Sequence, residues 1–172
     1  DDASTDESPA IIREYMNGFP GRIRGIFLTR QLGVARARDN GFREARGQFV
    51  SSLDGDDYLI HPQKLDRELQ LARTPSETGR NIAGFSGIIQ VDGTGNRLES
   101  GKNLSIVEGR ITRELLGRTC HIPRDFTFRR ELYFQAGGFD SRYPIYEDWD
   151  FKLRLSALVD FCLLYTSDAA DE

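Results

Sequence analysis

The sequence predicts an α/β layer fold, with a mixed, mostly parallel sheet flanked by helices. Two observations carry this. Strand-like apolar runs alternate with helix-like amphipathic runs along the chain, the pattern of layered α/β domains. The length, 172 residues, suits one domain or a large piece of one.

The elements follow in order. SPAIIREYM (8–16) reads as a helix, with Ser8 as N-cap, Pro9 at the first helical position, and Ile11, Ile12 and Tyr15 at helical spacing. IRGIFL (23–28) reads as a short strand. GVARARDNGFREARG (33–47) reads as a helix with Val34, Ala37, Phe42 and Ala45 near one face and Gly47 closing it. QFVSSL (48–53) is the next strand. HPQKLDRELQLAR (61–73) begins a helix at Pro62, with Leu65, Leu69 and Ala72 inward. IAGFSGIIQV (82–91) is a strand and DGTGN (92–96) a turn. Residues 97–120 read as irregular. FRRELYFQAGG (128–138) is a short helix ended by Gly137 and Gly138. EDWDFKLRLSALV (147–159) is a helix, with Trp149, Leu153 and Ala157 recurring every fourth residue on an inward side.

Composition is that of a water-soluble globular domain, 38% hydrophobic and 29% charged. No run of apolar residues is long enough to span a bilayer. Residues 162–172, CLLYTSDAADE, match the translation of a sequencing-library adapter. Native sequence is therefore expected to end near Phe161, with 1–161 forming a partial domain and 162–172 a non-native tail. Without the tail's three acids, Asp168, Asp171 and Glu172, 24 acids of the original 27 face 23 bases. That near-neutral balance has no basic stripe, so nucleic acid is not an expected partner. Cys120 then stands alone, which fits a reducing compartment. With no second Cys–His pair beside Cys120 and His121, zinc is not expected.

Two acidic clusters carry the chemistry. SSLDGDDYL (51–59) sets Asp54, Asp56 and Asp57 within four positions, directly after a strand. Ligands of open parallel sheets bind beyond the carboxyl ends of strands. Clustered hard oxygen ligands there suit Mg2+ or Mn2+, especially with phosphate supplying further oxygens. A calcium loop is excluded, because its sixth and twelfth positions fall on Leu59 and Leu65. An acidic turn leading into a helix cap is the plainer alternative. The second cluster, YEDWDF, puts Glu147 and Asp148 at a helix start, where anions are favoured by the dipole. A plain helix cap would account for that cluster on its own.

Taken together, DDASTDES, GVARARDNG, ARGQFVSSLDGDD, FRREL…GGFD and YEDWDFKLRL resemble family-2 glycosyltransferases with the GT-A fold, in order and rough spacing from residue 1 to about 158. The resemblance implies an inverting transfer from a nucleotide-diphospho-sugar donor to a hydroxyl of a glycan, a lipid-linked sugar or another acceptor. It implies that Asp2 hydrogen-bonds the nucleotide base and Asp1 assists near the ribose. Asp54 and Asp56 match the D-x-D motif; Asp56 and Asp57 would hold the diphosphate-bound Mg2+ or Mn2+. Arg38 would face the donor phosphates. Asp148 would be the general base, with Glu147 beside it. His121, Arg124 and Trp149 would border the acceptor. A cytoplasmic location, or the cytoplasmic face of the membrane, is implied by resemblance alone.

Two departures stand out. Asp39 occupies a position where the family often has Asn. The family's first strand, which precedes the DD motif, has no counterpart here, so IRGIFL is expected to be orphaned, QFVSSL to have an open edge, and this piece to be poorly active by itself. Readings from other classes are a non-catalytic glycan-recognition or scaffold module of the same fold, and a nucleotidyltransferase.

Overall fold

The computed structural model describes residues 1–98 and 106–164. Its elements are α1 (Ser8–Gly18), α2 (Val34–Glu44), β1 (Phe49–Val50), α3 (Lys64–Arg73), β2 (Asn81–Phe85), α4 (Thr112–Gly117), β3 (Phe128–Arg129), α5 (Arg130–Gln135), α6 (Glu147–Leu155) and β4 (Val159–Leu163). β4 lies parallel to β2, with Ala83 opposite Phe161. β1 pairs antiparallel with β3, Val50 opposite Phe128. An antiparallel bridge from Gly84 to Thr127 joins the two pairs, giving the spatial order β4–β2–β3–β1. The result is a mixed sheet with helices packed against it.

The core is aromatic. Phe42 stacks on Tyr133 with ring centroids 4.7 Å apart, and Phe151 meets Phe139, Tyr133 and Phe128 at 4.9, 5.3 and 5.9 Å. Edge-to-face and offset pairs such as these add to the area they bury. They fasten α2, α5 and α6 to β3, the elements that carry the acidic motifs and their partners.

Two buried polar networks complete the packing. Glu68, fully buried on α3, accepts hydrogen bonds from Lys64 (2.7 Å), Ser86 (2.6 Å) and Thr127 (2.9 Å). A buried charge is tolerated when it is paired and its lone pairs are used. Gly84 makes this approach possible: a Cβ there would lie 3.0 Å from the Glu68 carbonyl oxygen. In the second network Tyr133 donates to Asp39 Oδ1 (2.5 Å), Arg43 donates to Asp39 Oδ2 (2.8 Å), and the Phe139 N–H donates to the Tyr133 hydroxyl (3.1 Å). Burial, then the bond to Asp39, pushes the Tyr133 hydroxyl's pKa well above its usual value, so it remains a donor. Asp39 thus ties α2 to the loop leading to α6, which gives the Asp in place of Asn a structural role.

Several sequence expectations change. Ser8 is the first helical residue of α1 rather than its cap, and α1 buries no residue. The inward face of α2 is Ala35, Asp39 and Phe42, with Val34 exposed. α3 starts at Lys64 and turns Lys64, Glu68 and Ala72 inward, leaving Leu65 exposed, because the Lys–Glu pair neutralises itself on the core side. In α6 the fully inward positions are Glu147, Phe151, Lys152 and Leu155; Trp149 and Leu153 flank the core, and Ala157 lies beyond the helix. Spacing of four advances about 40° per step around a helix, so a three-member series drifts off one face. Part of the expected irregular stretch is helical, as α4; residues 99–105 lie outside the described ones.

IRGIFL forms no strand. Its backbone partner is the first residue: the Asp1 ammonium donates to the Ile26 carbonyl (2.8 Å) and the Leu28 N–H to the Asp1 carbonyl (3.0 Å). Among the described residues the second edge of β1 has no strand beside it. A groove of about 470 Å³ runs there, lined by Phe42, Ala45, Phe49, Val50 and Leu53 among others. β4 includes Cys162 and Leu163, the first two residues of the adapter-like string, in register with Gly84 and Phe85. Ladder bonds join backbone to backbone, so pairing there does not depend on which side chains are present. Residues 165–172 lie outside the described ones.

Candidate active site

Arg38 is the centre of the site. It projects from α2, is nearly enclosed, and its guanidinium binds both acidic clusters at once. Nη2 donates to Asp54 Oδ1 at 2.6 Å, and Nη1 donates to Glu147 Oε1. The planar fork of arginine suits this double engagement; a lysine ammonium could not hold the same two directions. Residues 93 positions apart in sequence, Asp54 and Glu147, are thereby brought to one group.

Asp54 Oδ2 also receives Arg124, at 2.9 Å. Asp54 is therefore a braced carboxylate with both oxygens in use. Asp56 and Asp57 differ: both are exposed, and neither side chain has a hydrogen-bond or ion-pair partner among the described residues. The backbone closes their turn through the Asp57 N–H to the Asp54 carbonyl (3.1 Å). Carboxylate oxygens of Asp54, Asp56 and Asp57 lie within 4.8 Å of one another. Two unpaired, solvent-facing carboxylates beside a third form a donor set that fits a hard divalent cation completed by phosphate and water oxygens.

Asp148 sits on the first turn of α6. Lys152, one turn on, donates to Asp148 Oδ2 (2.9 Å) and to the Ile122 carbonyl (2.9 Å), and is almost fully buried. Burial alone would raise the Asp148 carboxyl, but the charge and hydrogen bond of Lys152, the Trp149 N–H and Arg124 outweigh it. The carboxyl is held below its ordinary range. His121 is lowered from the usual imidazole value, first by partial desolvation and then by the charge of Lys152, so it is neutral at pH 7. A shallow depression lined by Arg38, Ser52, Arg124, Asp148 and Lys152 joins the two clusters.

Asp2 lies at the other end of α2. Its two oxygens accept the N–H groups of Leu32 and Gly33, each at 2.8 Å. Five residues of helix separate Gly33 from Arg38, about 7.5 Å of rise. Asp1 joins the turn through its carboxylate, which accepts the Ser4 N–H at 3.1 Å. Trp149 lies against Arg118, whose guanidinium carbon is 5.8 Å from its ring centroid. The structure thus gathers Arg38, Asp54, Arg124, Glu147 and Asp148, with Asp56 and Asp57 at the rim. Lys152 was absent from the sequence prediction, although its position four residues after Asp148 is the spacing of a helical ion pair.

Residues 1–134 match the family model described as Glycosyl transferase family 2, and the chain belongs to that family. It is 32% identical over 158 residues to the succinoglycan biosynthesis protein ExoO of Rhizobium meliloti (strain 1021), covering 87% of this chain and 43% of that protein. It is 31% identical over 170 residues to chondroitin synthase of Escherichia coli, covering 94% of this chain and 22% of that protein. The chain thus spans less than half the length of these relatives. Among solved structures, S. aureus TarS 1–349 superposes with a TM-score of 0.70 at 19% identity, over 95% of this chain and 47% of that one. The same protein in complex with UDP gives 0.64 at 16% identity, over 95% and 49%. The fold is GT-A. No helix among the described residues is long and apolar enough to cross a membrane.

Proposed function

We propose that the protein carrying this chain transfers a sugar, with inversion, from a nucleotide-diphospho-sugar to an acceptor hydroxyl. The observation that carries this reading is Arg38, which holds the donor-side Asp54 and the acceptor-side Glu147 on one guanidinium. A group-transfer enzyme needs its leaving-group and base ends side by side, and this contact supplies that adjacency. A scaffold has no such need.

In this reading Asp2 and Asp1 meet the nucleoside, and Arg38 and Asp54 form the wall against which the donor's ribose and phosphates lie. Asp56 and Asp57 are the residues that would hold Mg2+ or Mn2+. A divalent cation there supplies Lewis-acid neutralisation of the departing diphosphate. Arg124, half-exposed on Asp54, is placed to turn from the carboxylate to a phosphate or an acceptor oxygen. His121 and Trp149 border the acceptor.

Asp148 takes the acceptor proton through Oδ1, the oxygen that Lys152 leaves free. A carboxylate below its ordinary range is a weak base towards a resting alcohol. The proton moves as the hydroxyl acidifies during attack, when the new C–O bond forms. General bases of this kind contribute roughly 10²- to 10⁴-fold in rate. A diphosphate leaves without a protonating acid, so this displacement needs one base rather than the pair of carboxyls a glycosidase uses.

The test is a screen of nucleotide-sugars with Mn2+, followed by Asp148→Asn. Transfer should vanish in the variant while donor binding persists. Formation of nucleoside triphosphate and sugar 1-phosphate from the nucleotide-sugar and added pyrophosphate, indifferent to Asp148, would favour a nucleotidyltransferase. Absence of donor binding would favour a recognition module.

A further inference from the structure

Beside the base lies a second cluster that the donor reading does not use. The guanidinium carbon of Arg118 stands 4.9 Å from the Tyr146 ring centroid and 5.8 Å from that of Trp149. Arg118 follows α4, Tyr146 immediately precedes α6, and Trp149 follows Asp148 directly. Tyr146 is 57% exposed and Arg118 is also exposed. The Arg118 side chain has no hydrogen bond or ion pair with any described residue. Its face is on two rings, and its N–H donors are unclaimed.

The backbone adds an independent sign. Three non-glycine residues among those described have positive φ: Ala3, Arg118 and Tyr146, the last two at 52° and 69°. Left-handed backbone in a bulky residue costs on the order of 1–3 kcal/mol and clusters at functional sites. Arg118 adopts it as the C-cap of α4, its N–H bonded to the Glu114 and Leu115 carbonyls, an ordinary helix ending, so the unexplained strain is that of Tyr146. Tyr146 also makes no side-chain cap for α6, so helix capping does not explain its conformation.

Position decides what the cluster meets. The segment from Arg118 to Arg124 runs between the two ends of the site. Arg118 touches Tyr146 and Trp149, the Ile122 carbonyl holds Lys152 against Asp148, and Arg124 reaches Asp54. With the donor at the Arg124 end, the Arg118 end lies on the far side of Asp148, where the incoming hydroxyl's own chain must extend.

The geometry points to an acceptor subsite for a sugar ring bearing an anionic group, carboxylate or phosphate, formed by Arg118, Tyr146 and Trp149. The rings offer apolar faces for the C–H surface of a pyranose. The arginine, steered by its π contacts, presents a fork to the anion. This subsite rests on the reading of Asp148 as the acceptor-side carboxylate.

Trp149 is the sole tryptophan, so its fluorescence reports the subsite directly. The probes are a hyaluronan tetrasaccharide (carboxylate), glucose 6-phosphate (phosphate) and cellotetraose (neutral). At least one anionic probe should perturb Trp149 at saturable concentration, and cellotetraose should bind more weakly. Arg118→Gln should weaken the anionic probe by about tenfold, the value of one charge-assisted contact, and leave cellotetraose unchanged. Arg118→Lys should recover part of the loss. Tyr146→Gly, which keeps the left-handed backbone and removes the ring, should weaken all three probes. Thermal melts verify that each variant folds. Binding of UDP or GDP with Mn2+, measured in parallel, should be unaltered in all three. Equal binding of neutral and anionic probes, or an Arg118→Gln protein that binds the anion as the parent does, overturns the subsite. If anion binding depends on Arg118 while the full-length protein transfers no sugar, an anionic-sugar site stands and the transfer reading fails.

Discussion

Replacing Arg38 by methionine should cost the fold about as much as any single surface-accessible change in this chain. The substitution keeps most of the side chain's volume and removes the fork. Asp54 retains Arg124 at 2.9 Å. Glu147, whose side chain is 8% exposed, has no other partner among the described residues. Breaking a buried pair from one side costs roughly 3–5 kcal/mol. Because Asp54 stays compensated and Arg38 keeps a little solvent contact, the low end applies, about 3 kcal/mol. For a domain of this size each kcal/mol moves Tm by roughly 2–4 °C, so the melt should fall by about 6–12 °C. The assay is thermal and urea unfolding of the parent, Arg38→Met, Glu147→Gln and the double variant. In the Arg38→Met background, Glu147→Gln should restore at least about 1 kcal/mol, since it removes the stranded charge. An Arg38→Met protein within about 0.5 kcal/mol of the parent, or a double variant with no recovery, would refute the claim that Arg38 binds the clusters together.

Two further outcomes follow from the geometry. Lys152→Met removes the main partner that lowers Asp148. The acid limb of transfer, expected below the ordinary carboxyl value near about 4, should move to higher pH. The sign for stability agrees: a depressed carboxyl stabilises above its unfolded value, and that contribution fades as pH falls through the folded one. A pH–rate profile checks it, and an unmoved acid limb would contradict the pairing. Gly138→Ala places a Cβ 3.0 Å from Asp39 Oδ1 and from the Tyr133 hydroxyl at a φ of +68°; urea unfolding should show a loss of roughly 2 kcal/mol, and a neutral variant would show that the Asp39–Tyr133 network is slack.

Much of this architecture was legible in the sequence. Asp54, Asp56 and Asp57 stood at a strand end, Glu147 and Asp148 at a helix start, and the helices around Arg38 and Phe151 were placed nearly correctly. What escaped was set by partners remote in the chain. IRGIFL has the residues of a strand, but a strand exists through its neighbour, and only Asp1 lies alongside. Leu65 and Leu69 were expected inward, but Lys64 and Glu68 take the core side as a neutralised buried pair, made acceptable by Ser86 and Thr127. Arg38 was expected to face the donor phosphates, and nothing local announces that Glu147 comes to meet it. Arg118 and Tyr146, 28 residues apart, carry no local signal of their stacking at all.

The most direct measurement uses the single tryptophan as a ruler between the two acidic clusters. With 5-fluorotryptophan at Trp149, the ¹⁹F resonance should broaden on adding stoichiometric Mn2+ with a nucleoside diphosphate and sharpen again with EDTA. Mg2+ should leave the line narrow, and the double variant Asp56→Asn/Asp57→Asn should abolish the Mn2+ effect. A fluorine line that ignores bound Mn2+, or one that broadens equally when Asp56 and Asp57 are gone, would contradict a cation seat on the aspartate turn beside the base-bearing helix.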